Sequence, residues 1–281
     1  MRIRSGPLLM LLAVLCFALM LGCVKVARAE LPAVEIILWR GLIAVPLTVL
    51  IALPGRHFAI KNRPVMALRV LFGLAAMLCY YTATAGMALA DLTLITRLQP
   101  VLIALGAPLL LGASEQVGRR VWVLLGVGVI GCAVLLGPHL SREGWGVWAL
   151  GALVFGAAAH IALRSLGQTE DSRAIVVWTQ LGVVILSLGL VVGHTGGVPG
   201  IPAPSLWGWL LGVGCFATAG QLLLTKAYAL DRAGVVAAAS NIAPLWAVLI
   251  DLALFATWPT PTALIGGALI LVASLGLVLR R

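Results

Sequence analysis

Ten apolar runs, each close to the roughly 20 residues that a helix needs to cross a bilayer, follow one another along this chain with short polar stretches between them. They occupy residues 7–26, 33–53, 65–87, 92–111, 120–136, 144–163, 174–192, 206–225, 233–255 and 261–279. In hydrocarbon, backbone polar groups are satisfied only within helices or closed barrels, and runs of this length are too long for barrel strands. With 62% of its 281 residues hydrophobic and 10% charged, the chain exceeds the apolar share of about half found in soluble domains. The expected fold is an all-α integral membrane protein of ten transmembrane helices.

The net charge of +10 is scattered in short clusters between apolar runs and gathers on no single face, which argues against a nucleic-acid partner. It reports topology instead. Arg2, Arg4, Arg56, Lys61, Arg63, Arg69, Arg119, Arg120, Arg164, Arg173, Lys226, Arg232, Arg280 and Arg281 fall on one side of the membrane. Lys25, Arg28 and Arg142 fall on the other, so the enrichment of cytoplasmic loops in Lys and Arg predicts that both termini are cytoplasmic. Arg2 and Arg4, the apolar run after them and Ala27-Arg28-Ala29 also resemble a signal peptide. Five cysteines, all inside apolar runs without ligand spacing, imply neither disulfides nor zinc.

The chain repeats itself. Residues 11–39 align without a gap on 150–178, pairing Ala13 with Ala152, Ala18 with Ala157, Lys25 with Arg164 and Trp39 with Trp178. Residues 73–89 align on 214–230, pairing Thr84 with Thr225 and Ala88-Leu89 with Ala229-Leu230, and Pro100 then matches Pro244. Helix 6 thus restarts what helix 1 began, which keeps the first run within the fold. An odd number of spans per repeat makes the halves inverted copies, the arrangement that supports alternating access.

Leu68-Arg69-Val70-Leu71-Phe72-Gly73, Tyr80-Tyr81, Ala88-Leu89, Pro100, Glu115 and Gly126 resemble the first EamA repeat of the drug/metabolite transporter superfamily. Ala227-Tyr228-Ala229-Leu230, Pro244, Pro259-Thr260-Pro261 and Gly266-Gly267-Ala268-Leu269-Ile270 resemble the second. The resemblance implies two repeats, residues 1–139 and 140–281, around a central cavity, and inner-membrane transport of amino acids or related metabolites in a bacterium. Amino-acid exporters of the YddG type, threonine/homoserine exporters and S-adenosylmethionine carriers share the pattern. One departure is Thr257, which stands where the second repeat usually carries Glu, while Glu115 keeps the first copy. Glu115 is expected to be a structural or gating group at a helix end.

Polar residues inside apolar spans mark candidate sites, because an ionisable group at membrane depth is costly unless it faces partners or a wet cavity. Helix 4 carries Arg97 and Gln99 beside Pro100, and helix 9 carries Ser240 and Asn241 ahead of Pro244. Each proline removes a backbone donor and breaks the preceding turn, making Pro100 and Pro244 candidate helix breaks. Arg97 suits a carboxylate, or else pairs with Glu35 or Asp91. Tyr80 aligns with Gln221, and both are expected at the substrate with Gln99 and Asn241. Trp178 is a weaker candidate, since tryptophan at this depth more often anchors an interface. Glu35 and Arg40 read as interface charges, His160 as a residue meeting backbone or water. Gly126, Gly128, Gly131, Gly266 and Gly267 allow close helix approach.

Neither an intramembrane serine–histidine pair, paired aspartates nor His/Glu metal spacing occurs, so no catalytic residue, metal or cofactor is expected. The expected partners are a small-molecule substrate, an amino acid or related metabolite, and the lipid bilayer, with the chain a monomer or homodimer. A carrier of S-adenosylmethionine or a nucleotide-linked metabolite is the alternative.

Overall fold

The computed structural model describes residues 2–3, 5–55, 57–83, 95–136, 146–195, 197, 200–246, 249 and 261–280. Ten α-helices stand among them: α1 (Ser5–Ala27), α2 (Ala33–Ala52), α3 (Arg63–Ala83), α4 (Gln99–Leu111), α5 (Arg119–Leu136), α6 (Gly146–Thr169), α7 (Ser172–Thr195), α8 (Trp207–Leu230), α9 (Ala233–Ala239) and α10 (Pro261–Val278). Helices α1, α2, α3, α6, α7 and α8 supply six spans long and apolar enough to cross a membrane. Leu109, Leu110, Val147 and Ile185 stay largely exposed on their outer faces, the surface that hydrocarbon covers. Asp91, Asp251 and Thr257, and parts of the fourth and ninth apolar runs, lie outside the described residues.

The helices pair by exchange between halves. α1 packs along α8, α3 along α6, α2 along α7, α4 along α9 and α5 along α10. Replacing each helix by its counterpart five places away maps this set onto itself: the first two pairs trade places and the other three return to themselves. The internal repeat of the sequence is therefore a repeat of structure, and every helix finds its main partner in the other half. Short terminal strands, β1 (Arg2–Ile3) and β2 (Leu279–Arg280), pair antiparallel with Arg2 opposite Arg280. Both chain ends therefore meet at one end of the bundle, called here the terminal end.

Local chemistry fixes the pairings. The Glu170 carboxylate, just past α6, accepts from the backbone N–H groups of Lys61 at 3.1 Å and Asn62 at 2.9 Å. Asn62 Oδ1 in turn accepts from the Val65 N–H at 3.3 Å, so donors orphaned at the start of α3 are satisfied. α9 reads Ala-Gly-Val-Val-Ala-Ala-Ala and every one of these residues is buried; side chains this small let its backbone lie close on α4. α5 meets α10 just as closely, because a Cβ on Gly131 would stand 2.9 Å from the Gly266 carbonyl oxygen.

Gly131→Leu is expected to cost about 1–3 kcal/mol through overpacking, read as a lower midpoint of thermal unfolding in detergent. Gly126→Ala, where an added Cβ meets nothing within 4 Å, is the matched control and should leave the midpoint in place.

Candidate functional site

Between the halves lies a cavity of about 920 Å³. It is walled by α1, α2, α3, α6, α7 and α8 and by two interrupted helices, and it extends from exposed Arg28 near the end of α1 to buried Tyr228 near the terminal end.

The two interruptions set its chemistry. Ile95 and Thr96 are helical, Arg97 and Leu98 form a turn, and α4 restarts at Gln99, with Pro100 in the first turn where a missing N–H costs nothing. In the second half α9 ends at Ala239, residues Ser240–Ile242 tighten into a 3-10 turn, and Pro244 follows. Pro244 has no N–H to offer the Ser240 carbonyl four residues back. Arg97 supplies the donor instead, its Nη1 lying 3.1 Å from that oxygen. The hydrogen bond of Arg97 thus goes to a main-chain carbonyl of the opposite half rather than to Glu35, while Asp91 lies outside the described residues.

Tyr80, Arg97, Gln99, Gln221, Pro100 and Pro244 all line the cavity. Gln99 places its amide 2.6 Å from Nδ1 of His160, which also lies 2.9 Å from the Gly156 carbonyl oxygen. A proton on Nδ1 serves both neighbours when the amide turns its oxygen inward, leaving the amide –NH2 and the imidazole Nε2 for other partners. The His160 ring stacks on Tyr228 at a centroid distance of 5.2 Å, so His160 belongs to the wall.

Two expected residues stand elsewhere. Asn241 is 1% exposed but does not line the cavity; its side chain faces Gly128 of α5 and its carbonyl accepts from the Cys132 thiol at 3.6 Å. The 3-10 turn rotates it behind the break. Trp178 is 46% exposed, and its indole N–H donates to the Phe58 carbonyl at 2.8 Å, which makes it an anchor for the α2–α3 connection.

The sequence reading missed Arg40, Arg69, Gln180 and Tyr228, all on the wall. Arg69, counted there as a loop charge, is 6% exposed and its Nε has no hydrogen-bond partner. The available signal was depth: Arg69 lies six residues beyond the start of α3, about 9 Å along the axis at 1.5 Å per residue. Gly73, one turn on, makes room for it, since a Cβ there would stand 2.8 Å from Arg69 Nη1. Among the described residues lining the cavity there are four arginines, at 28, 40, 69 and 97, and neither Asp nor Glu.

At the terminal end Glu115, 1% exposed, meets Arg164, whose Nε donates to Oε1 at 2.8 Å. Oε2 accepts from the Ala233 N–H at 2.8 Å, while Arg164 Nη1 donates to the Tyr228 and Ala229 carbonyls at 2.7 and 3.1 Å. The carboxylate thereby sits at the positive N-terminus of α9 and the guanidinium at the negative C-terminus of α8. Arg232 adds a bond from Nη1 to the Gln116 carbonyl at 2.6 Å, so the α4–α5 connection is tied to the second half by charge.

The sequence matches the EamA-like transporter family twice, over residues 4–137 and 144–279. It is 30% identical to a pseudopaline exporter of Pseudomonas aeruginosa over 98% of this chain and 96% of that one. A riboflavin transporter of Rhizobium johnstonii is 32% identical over 63% of this chain and 57% of its own. A solved crystal structure superposes with a TM-score of 0.83 at 19% identity, covering 98% of this chain and 96% of the other, and at that identity shows the fold alone.

Glu115→Ala strands Arg164 without its counter-ion and is expected to cost about 3–5 kcal/mol, measured by thermal unfolding in detergent. A double-mutant cycle with Arg164→Ala should return a coupling energy well above zero; additive losses would mean that the pair contributes nothing as a pair.

Proposed function

This chain belongs to the EamA-like transporter family of the drug/metabolite transporter superfamily, and from that premise we propose that it carries amino acids or closely related metabolites by alternating access. That it is a multi-pass membrane carrier of small metabolites, and not an enzyme, follows from the family. The substrate reading rests chiefly on one observation: a cavity between two interlocked halves whose floor is made of paired helix breaks braced by Arg97.

In this reading the halves, residues 1–139 and 140–281, are inverted copies in a bacterial inner membrane with both termini cytoplasmic. The Glu115–Arg164 network is then the cytoplasmic gate. The cavity reaches exposed Arg28 at the other end, so the conformation described faces outward. Thr257, at the second copy of the Glu115 position, cannot supply the matching carboxylate, and the outer gate must close by packing. Tyr80, Arg97, Gln99 and Gln221 contact substrate; Pro100 and Pro244 hold the breaks open. Export is the direction supported by the name of the pseudopaline exporter. A nucleotide-linked anion is the second reading, favoured by the arginines on the wall, whereas the sulfonium cation of S-adenosylmethionine would meet those arginines with no described carboxylate to offset them.

The test is flux of radiolabelled amino acids and derivatives in proteoliposomes, run in both directions. Arg97→Ala is expected to abolish flux, with expression retained; normal flux through that variant would remove the brace from the mechanism. Trp178→Phe, outside the cavity, should transport as the parent does.

A further inference from the structure

Resting on that reading of the cavity, we infer that its substrate is an acidic metabolite carrying at least two carboxylates, and that a zwitterion with one carboxylate and a free ammonium group fits poorly. The inference stands on the donors left over on the wall. Arg69 is 6% exposed and makes no hydrogen bond or ion pair; Gly73 keeps open the space in which its guanidinium lies. Arg97 commits Nη1 to the Ser240 carbonyl and leaves Nε buried without a partner. The amide nitrogens of Gln180 and Gln221 are likewise buried and unpartnered. Every one of these groups, all of them on the wall, is an N–H donor.

An unmet donor in a low-dielectric site costs stability unless an acceptor comes to it, and a guanidinium costs most. Arg69 also lies within electrostatic reach of Arg40, and Arg97 contributes a further charge to the same wall. One carboxylate cannot neutralise that many cations; two or more on one molecule can, and a planar guanidinium fork matches a carboxylate bidentately. The ammonium of a free amino acid, by contrast, meets no carboxylate among the described lining residues. A cavity of about 920 Å³ holds a molecule larger than a simple amino acid, and the stacked His160–Tyr228 pair offers its apolar body a flat surface.

The full chain in proteoliposomes is assayed with citrate, 2-oxoglutarate and glutamate against leucine, alanine and lysine, with AMP as the phosphate-bearing anion. Citrate and 2-oxoglutarate are expected to move at least about tenfold faster than leucine or alanine, the factor that one charge-assisted hydrogen bond supplies. Arg69→Gln should raise the half-saturating citrate concentration by about tenfold to a hundredfold, and Arg69→Lys by less. Without solute, Arg69→Gln should melt no lower than the parent, since it removes an unpaired buried charge, and should lose the stabilisation that citrate gives the parent. Leucine or alanine moving as fast as citrate overturns this inference and leaves the transporter reading standing. Flux of AMP alone overturns the carboxylate assignment. A lower melting point of Arg69→Gln without solute overturns the ligand role of Arg69 in favour of a structural one. Flux of none of these solutes through the parent defeats the underlying amino-acid and metabolite reading as well.

Discussion

The Ser240 carbonyl is the group on which the centre of this molecule depends. A helix broken at membrane depth exposes backbone oxygens that lipid cannot satisfy, at several kcal/mol apiece. Pro244 creates such an oxygen by withholding its own N–H, and the donor that meets it comes from the other half, Arg97 at 3.1 Å. The breaks in the fourth and ninth helices must therefore lie side by side. The small residues of α9 permit that approach: a Cβ on Gly234 would stand 3.1 Å from the Ala104 Cα of α4. Once the breaks are held together, the polar ends of four half-helices converge on one point, and the space above them is the cavity.

The two ends of the bundle are built differently, although the halves are copies. At the terminal end Glu115 and Arg164 each meet a helix terminus of the sign that suits them, and each also satisfies the other. Lys25 aligns with Arg164 and Thr257 with Glu115, so the second copy keeps a cation and loses the acid. A duplicated fold has in this way acquired one end closed by buried charge and one end without the acid that would make the same closure.

Hydropathy and the offset alignment made the ten helices, their pairing into repeats and the breaks beside Pro100 and Pro244 readable from sequence, because each is a local property of a run or of one proline. Environment was harder to read. Trp39 and Trp178 are exact counterparts, yet Trp39 packs edge-on against Trp207 at 5.3 Å while Trp178 bonds a loop carbonyl. Arg97 and Asn241 stand equally far ahead of their prolines, but a turn in one half and a 3-10 segment in the other aim the first into the cavity and the second towards α5. Arg69 was hidden by the topology count, which treats any arginine near a helix end as a loop charge. Which way it points is decided by packing between α2, α3 and α8, contacts that no single run encodes.

The contrast between Arg164 and Arg69 shows what kind of site this is. Both are arginines inside helices and both are largely buried. Arg164 has a carboxylate and two carbonyls around it, the arrangement a chain adopts when a charge has only to be tolerated. Arg69 has neither, faces Arg40 and is given room by Gly73. Coulombic attraction for an incoming anion grows as the effective dielectric falls, so withholding an internal counter-ion at that depth raises the affinity of the cavity for an external one. Had an internal acid occupied that place, a substrate carboxylate would have to displace it, and most of the attraction would be lost in the exchange. A fold able to neutralise one buried arginine that leaves another bare has reserved the second for what it carries.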